Sequence, residues 1–197
     1  MANLKHLLRL AEWHNEPPRW HLSDMMLSLS TGDKTDFWQD TFYGFHRDDG
    51  HFLGCEVVGD FTAVIGFDAD YEMLYDQAGL MMRADTQTWL KVGIEYSDGV
   101  TNFSTVVTRQ GRSDWSVIGV PALTGPQHVR LTRIGGATIA HFQDSDGSWR
   151  LMRLADFPVE VSVVVGPMAC SPEREGLDVR FHTFEIGAAI ENPLHDD

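Results

Sequence analysis

Lys91 and Glu95 are the residues from which chemistry could be built. They lie four positions apart in Thr88-Trp-Leu-Lys-Val-Gly-Ile-Glu-Tyr96. In an extended strand side chains alternate, so this spacing puts an ammonium and a carboxylate on one face, together with Trp89. Lysine is scarce in the chain, which has three lysines against twelve arginines. Asp98-Gly99 is a two-residue turn signal. Pairing Ser97 with Val100 and counting outward sets Glu95 opposite Asn102, Gly93 opposite Ser104, Lys91 opposite Val106 and Trp89 opposite Thr108. The other face pairs Ile94 with Phe103, Val92 with Thr105 and Leu90 with Val107, so one face is core and the other mixed and polar. The preceding run, Tyr75-Asp-Gln-Ala-Gly-Leu-Met-Met-Arg83, puts Gln77 and Arg83 on one face. They join Lys91 and Glu95 if there is an odd-length connection or a bulge near Asp85 to Thr88. The plainer alternative is a Lys/Glu couple on an exposed sheet face.

Glu95 has no second carboxylate on its own strand, because Asp98 already lies in the turn. A hydrolase or isomerase using Glu95 would need another carboxylate or an oxyanion-stabilising group brought within reach. Metal chemistry is poorly signalled: the nine histidines are scattered, with no His-x-His and no His-Glu-x-x-His, and Cys55 and Cys170 are far apart. Gly-x-Ser-x-Gly and phosphate-loop patterns are missing. The stretch from Asp48 to Met82 holds eight acids and no Lys or Arg. A calcium site around Asp68, Asp70 and Glu72 lacks calcium-loop spacing, and the stretch reads as a solvated acidic edge. No metal or cofactor is expected. Trp38, Tyr43, Tyr75, Trp89 and Trp115 could stack on the apolar faces of sugar rings, or simply pack a core. Trp115, in Ser113-Asp-Trp-Ser116, reads as a loop tryptophan with the least reason to be there for packing. Cys170 reads as a small structural residue in a loop.

Antiparallel strands must position these groups. Asp49-Gly50, Asp98-Gly99, Gly135-Gly136 and Asp146-Gly147 punctuate alternating runs rich in Val, Phe, Tyr and Thr. Asp49-Gly50 is expected to join a strand over Thr41 to Arg47 with one over His51 to Val57. Further strands are expected over 61–67, 78–84, 127–134, 138–143, 149–154, 159–165 and 179–186. The Gly135-Gly136 turn would set Arg130 opposite His141. Only the first dozen residues suggest a helix. Ten or more short strands at regular intervals imply an all-β fold, a two-sheet antiparallel sandwich. With no linker-like tract, residues 1–197 read as one domain, with 1–13 an N-terminal extension and 192–197 a frayed tail. The expected mobile loops are 30–36, 109–125 and 167–176.

The 197 residues carry a formal charge of -14. Even full protonation of the histidines leaves the chain negative, which argues against nucleic acid or an anionic membrane as partner. No secretory segment is recognised before Trp13, no stretch approaches a membrane span, and the two cysteines read as free thiols, so a cytoplasmic location is expected.

Thr35-Asp-Phe-Trp-Gln39, Tyr75–Arg83, Trp89–Glu95, Ser113-Asp-Trp-Ser116 and Gly166-Pro-Met-Ala-Cys-Ser-Pro172 together resemble DUF1349, a family of unknown function that includes proteins named for regulation of enolase in yeast. The resemblance covers nearly the whole chain. It implies a concanavalin A-like lectin/glucanase sandwich (a jelly roll), whose curved sheet presents a concave face to ligands. Glucanases of that fold carry an E-x-D-x-x-E strand, with nucleophile and acid about 5 Å apart. Here Gly93–Gly99 departs from that pattern with one mid-strand carboxylate. The leading expectation is therefore a non-catalytic binding module for a carbohydrate or sugar-like ligand. Its ligand-binding candidates are Trp38, Gln77, Arg83, Trp89, Lys91, Glu95, Ser104 and Trp115, and the Arg83 and Lys91 charges favour an anionic ligand. The alternative is a protein-interaction or regulatory domain of the enolase-regulation type, docking a partner through the acid-rich region or a sheet face. An enzyme using Glu95 is the third reading.

Overall fold

The structure is a computed structural model that describes Leu4 and residues 10–120, 125–158 and 162–195. Its strands are β1 (Glu12–His14), β2 (Arg19–Leu22), β3 (Leu27–Ser30), β4 (Phe37–Gln39), β5 (His46–Asp48), β6 (His51–Val57), β7 (Phe61–Ala69) and β8 (Gln77–Asp85). They continue as β9 (Thr88–Ser97), β10 (Val100–Arg109), β11 (Arg112–Gly119), β12 (Gln127–Ile134), β13 (Ala137–Gln143), β14 (Trp149–Asp156), β15 (Val163–Cys170) and β16 (Asp178–Gly187). One sheet runs β1-β6-β15-β8-β9-β10-β11, a second β14-β13-β12-β7-β16-β3-β2, and β4-β5 form a separate hairpin. The pairings are antiparallel. The chain is thus a two-sheet antiparallel β-sandwich.

Alternation sends Leu80, Met82, Leu90, Val92, Ile94 and Phe103 from the first sheet into a core shared with Ile65, Phe67, Leu131, Val179 and Phe184 from the second. Burying each of the large side chains stabilises the fold by about 1.5–3 kcal/mol. The other face of the first sheet is covered in part by the β4-β5 arm. Phe37 of the arm joins Phe52, Met81, Trp89, Val106, Met168 and Cys170 in a second buried cluster. Arg83 clamps the base of the arm, with Nη1 and Nη2 donating to the Asp48 carboxylate at 2.5 and 2.9 Å.

The Asp98-Gly99 hairpin has the register that counting predicts, from Ser97↔Val100 to Trp89↔Thr108. Gly135-Gly136 likewise sets Arg130 opposite His141. A register shift between Arg83 and Asp85 supplies the bulge that brings Gln77 opposite Glu95 and Met81 opposite Lys91.

Other expectations are corrected. Asp49-Gly50 does not close a hairpin: β5 pairs with β4, and both turn amides donate to the Asp36 carbonyl. The run from Thr41 fails as a strand because Asp40, Phe42 and Gly44 take positive φ and curl it into a compact loop closed by Asp40 N–H to Phe45 O. Residues 112–119 form strand β11, paired along its length with β10, inside the segment read as a mobile loop. Cys170 ends β15 and is buried. The loop over 31–36 is tied down by Thr31 N–H to Leu177 O and Lys34 N–H to Arg174 O. Four short strands before residue 40 were not anticipated, and Glu12 and Trp13 of the expected extension pair with β6. The expected N-terminal helix falls largely on residues 1–3 and 5–9, outside the described residues, as do 159–161 of the strand expected there and 196–197 of the tail. In the rest of that tail, His195 N–H donates to Asn192 O.

Candidate functional site

The registers of β8 to β11 bring Gln77, Lys91, Glu95, Val106 and Trp115 to one face, since Gln77 stands opposite Glu95, Lys91 opposite Val106 and Val106 opposite Trp115. These residues line a cavity of about 270 Å³. Its other wall is the arm, through Asp36, Trp38, Tyr43, Phe45 and Arg47, with Tyr75, Pro172 and Glu173 completing the lining. Aromatic side chains dominate these walls, and they brace one another. Tyr43 stacks on Phe45 and meets Trp38 edge-on, Tyr75 meets Trp115 edge-on, and the Tyr43 and Tyr75 hydroxyls bond at 3.0 Å. That bond comes first among the causes, ahead of burial, that push the Tyr75 phenol up to about 12.

Polar groups come from both walls, Gln77, Lys91 and Glu95 from the sheet and Asp36 and Arg47 from the arm. Lys91 is 3% exposed and donates from Nζ to Phe37 O at 2.8 Å and to Asp36 Oδ1 at 3.4 Å. Burial is the largest single influence and would lower its pKa, but Asp36, through its charge and hydrogen bond, together with Cys170 and Glu95 outweighs it, and the ammonium is held above its ordinary value. Glu95 Oε2 accepts the Ser104 hydroxyl at 2.7 Å and the Trp115 indole N–H at 3.2 Å. Burial raises the Glu95 pKa, with Asp36 adding to the effect, while Lys91, Ser104 and Trp115 pull the other way without cancelling it. Gln77 is 6% exposed, and its side-chain amide bonds none of the described residues. Asp36 Oδ1 accepts from Phe37 N–H, Lys91 and Cys170, whereas Asp36 Oδ2 and Glu95 Oε1 accept no hydrogen bond from the described residues. The Cys170 thiol is pushed up chiefly by burial, which makes it inert.

Of the residues singled out from the sequence, Trp38, Gln77, Lys91, Glu95 and Trp115 come together around the cavity. Trp115 is a strand residue and forms a wall by bridging Ser104 and Glu95 from β11. Ser104 sits behind Glu95 and orients its carboxylate. Arg83 and Trp89 share the sheet face but not the cavity. Arg83 is taken up by Asp48, and Trp89 is wholly buried under the arm, edge-on to Phe37 at 6.2 Å. Asp36, Phe45, Arg47 and Glu173 were missed. Asp36 lay inside the Thr35–Gln39 motif, but nothing local reveals that the arm folds back across β9. With it, the cavity holds the second carboxylate that Glu95 lacks on its own strand.

The acids that suggested calcium are taken by arginines. Asp68 and Asp70 pair with Arg180, and Glu72 and Asp76 with Arg174, the Asp76 side chain being fully buried. Among the described residues no group of three or more His, Cys, Asp or Glu is arranged to hold a metal ion.

Comparison with known proteins agrees with this architecture. Regulation of enolase protein 1 of Saccharomyces cerevisiae (strain ATCC 204508 / S288c) is 44% identical over 184 residues, 93% of this chain and 92% of that one. The crystal structure of a functionally unknown protein from Saccharomyces cerevisiae superposes with a TM-score of 0.88 at 43% identity, covering 93% of this chain and 98% of the other. The GH43 BlXynB protein from Bacillus licheniformis has a TM-score of 0.68 over 88% of this chain and 35% of its own; at 18% identity that likeness is one of fold alone. The family model described as Protein of unknown function (DUF1349) matches residues 13–189, and the chain belongs to that family.

Proposed function

We propose that this protein binds a sugar-like small molecule in the cavity between the β4-β5 arm and the polar face of β8 to β11. The observation that carries the reading is Gln77, a largely buried residue whose amide opens into an aromatic-walled cavity and has no protein partner among the described residues. Its amide atoms are open to the cavity and not sealed from solvent, so a ligand hydroxyl placed there would take over hydrogen bonds that water makes in the free protein. Aromatic walls with a few convergent polar groups are the usual make-up of a small-molecule site, and about 270 Å³ is near the lower end of the roughly 300–1,000 Å³ such sites occupy. A single ring suits that space. Two free thiols, Cys55 and Cys170, support a reducing, cytosolic setting.

Isothermal calorimetry against monosaccharides and disaccharides is the test, with Trp115→Ala expected to weaken any binding at least about tenfold. Ligand recovered unchanged after long incubation marks a binding module. A hydrolysed glycoside would favour catalysis instead, with Glu95 as acid and Asp36 as its partner. Absence of binding across the panel would defeat the reading.

A regulatory, protein-docking role is the second reading, supported by the name of the yeast relative and by Phe42, Tyr43 and Phe45 on the exposed tip of the arm, where Phe42 is 92% exposed. The acid-rich stretch supports it less, because most of its carboxylates are already paired with arginine. Affinity capture with Phe42→Ser as control addresses this reading: a specific partner lost on that change supports it, and equal recovery with both proteins counts against it.

A further inference from the structure

We infer that the ligand carries an ammonium group, so that the cavity selects an amino sugar over neutral or acidic sugars; the inference rests on the binding role proposed above. It reverses the expectation of an anionic ligand, because the cations that suggested one are spent. Arg83 is held by Asp48 and Lys91 by Asp36 and the Phe37 carbonyl, and Arg47, which also lines the cavity, is paired with Asp49. What stays available is mostly acceptor. Asp36 and Glu95 each line the cavity with one carboxylate oxygen that receives no hydrogen bond from the described residues, and the Gln77 amide is equally uncommitted. The charged lining residues are Asp36, Glu95 and Glu173 against Lys91 and Arg47, an excess of acid.

An ammonium matches this inventory better than a hydroxyl does. It offers three donors and no acceptor, its bonds to carboxylate are charge-assisted and about twice as strong as neutral ones, and the faces of Trp38, Tyr43, Tyr75 and Trp115 attract a cation. A uronate in the same place would bring a third carboxylate toward Asp36 and Glu95, two largely buried acids beside which like charges repel more strongly than in bulk water. Lys91 opposes a second cation, but Asp36 at 3.4 Å offsets its charge.

The experiment compares glucosamine, glucose and glucuronate at neutral pH and low salt, followed by tryptophan fluorescence and by protein amide shifts in NMR. Glucosamine is expected to bind about tenfold more tightly than glucose, with glucuronate weakest, and the preference to shrink as salt is raised. Glu95→Gln keeps the shape of the side chain while removing its charge, and should collapse the ratio of glucosamine to glucose affinity toward one. Glucose binding as well as glucosamine, or glucuronate binding best, would overturn the inference and leave the sugar-binding role standing. Binding of none of the three would remove both.

Discussion

At the scale of single residues the cavity sets two buried carboxylates, Asp36 and Glu95, against one buried ammonium, Lys91, and the three are not equivalent. Lys91 is committed to Asp36, which therefore sits beside a fixed counter-charge. Glu95 has only hydrogen bonds from Ser104 and Trp115 on one oxygen, and burial raises its pKa. An acid whose pKa is higher in the folded than in the unfolded chain contributes stability that is complete below the unfolded value and is lost as pH rises through the folded one. The charged and titratable groups acting on Glu95 in this window are Lys91 and Asp36, with Tyr75 neutral throughout. Glu95→Gln should therefore match the natural protein in stability at about pH 4 and exceed it at about pH 8, by about 1.4 kcal/mol for each unit separating the two values. Urea unfolding across this range measures the difference. A gap independent of pH would mean that burial does not penalise the Glu95 charge. The sequence pointed to Lys91 and Glu95 because a strand alternates and a two-residue turn fixes register. It could not point to Asp36, whose place depends on a fold-back of the arm that no periodicity encodes.

At the scale of elements, the site depends on how closely β8 and β9 approach. Gly79 and Gly93 face each other across that ladder, and a Cβ on either would meet backbone: Val92 O at 2.1 Å from position 79, Ala78 O at 2.1 Å from position 93. Neither obstacle is a flexible side-chain end, so the strands themselves would have to part. Gly93 sits midway between Lys91 and Glu95, and its displacement moves both. Gly93→Ala is expected to cost about 1–3 kcal/mol by overpacking. It should also shift the amide resonances of β8 and β9 while those of β12 and β13, in the other sheet, stay in place. Thermal unfolding and NMR assignment test this; an unperturbed β8–β9 ladder would show that the close approach is dispensable. Strands β9, β10, β12 and β13 were legible because Asp-Gly and Gly-Gly turns announce them. The arm was not, since Phe42 and Asp40 adopt positive φ without being glycine, and a polar run such as Arg112–Gly119 does not declare itself a strand when it lies at a sheet edge with most side chains exposed.

At the scale of the whole molecule, order comes from pairings between distant parts of the chain. Strand β15 lies between β6 and β8, and β16 between β7 and β3. The arginines follow the same logic: Arg174 reaches Asp76 across 98 residues and Arg180 reaches Asp68 across 112. Such pairings leave no local trace, which is why the two-sheet class could be read from the sequence while the strand order could not. They also explain where the charge of -14 goes, since many carboxylates between Asp48 and Met82 face arginines from the last quarter of the chain or from just outside the stretch. A chain ending at Leu177 would lose β16 from the middle of its sheet. It would bare the edges of β3 and β7, strip the buried side chains of Val179, Phe181 and Phe184, and leave Asp68 and Asp70 without Arg180. Each large apolar side chain accounts for about 1.5–3 kcal/mol, and a domain's whole margin is about 5–15 kcal/mol. The truncated protein should therefore show no cooperative urea transition and poor dispersion of its amide resonances. A cooperative transition with strand-rich circular dichroism would mean that the first 177 residues hold the sandwich closed without its central closing strand.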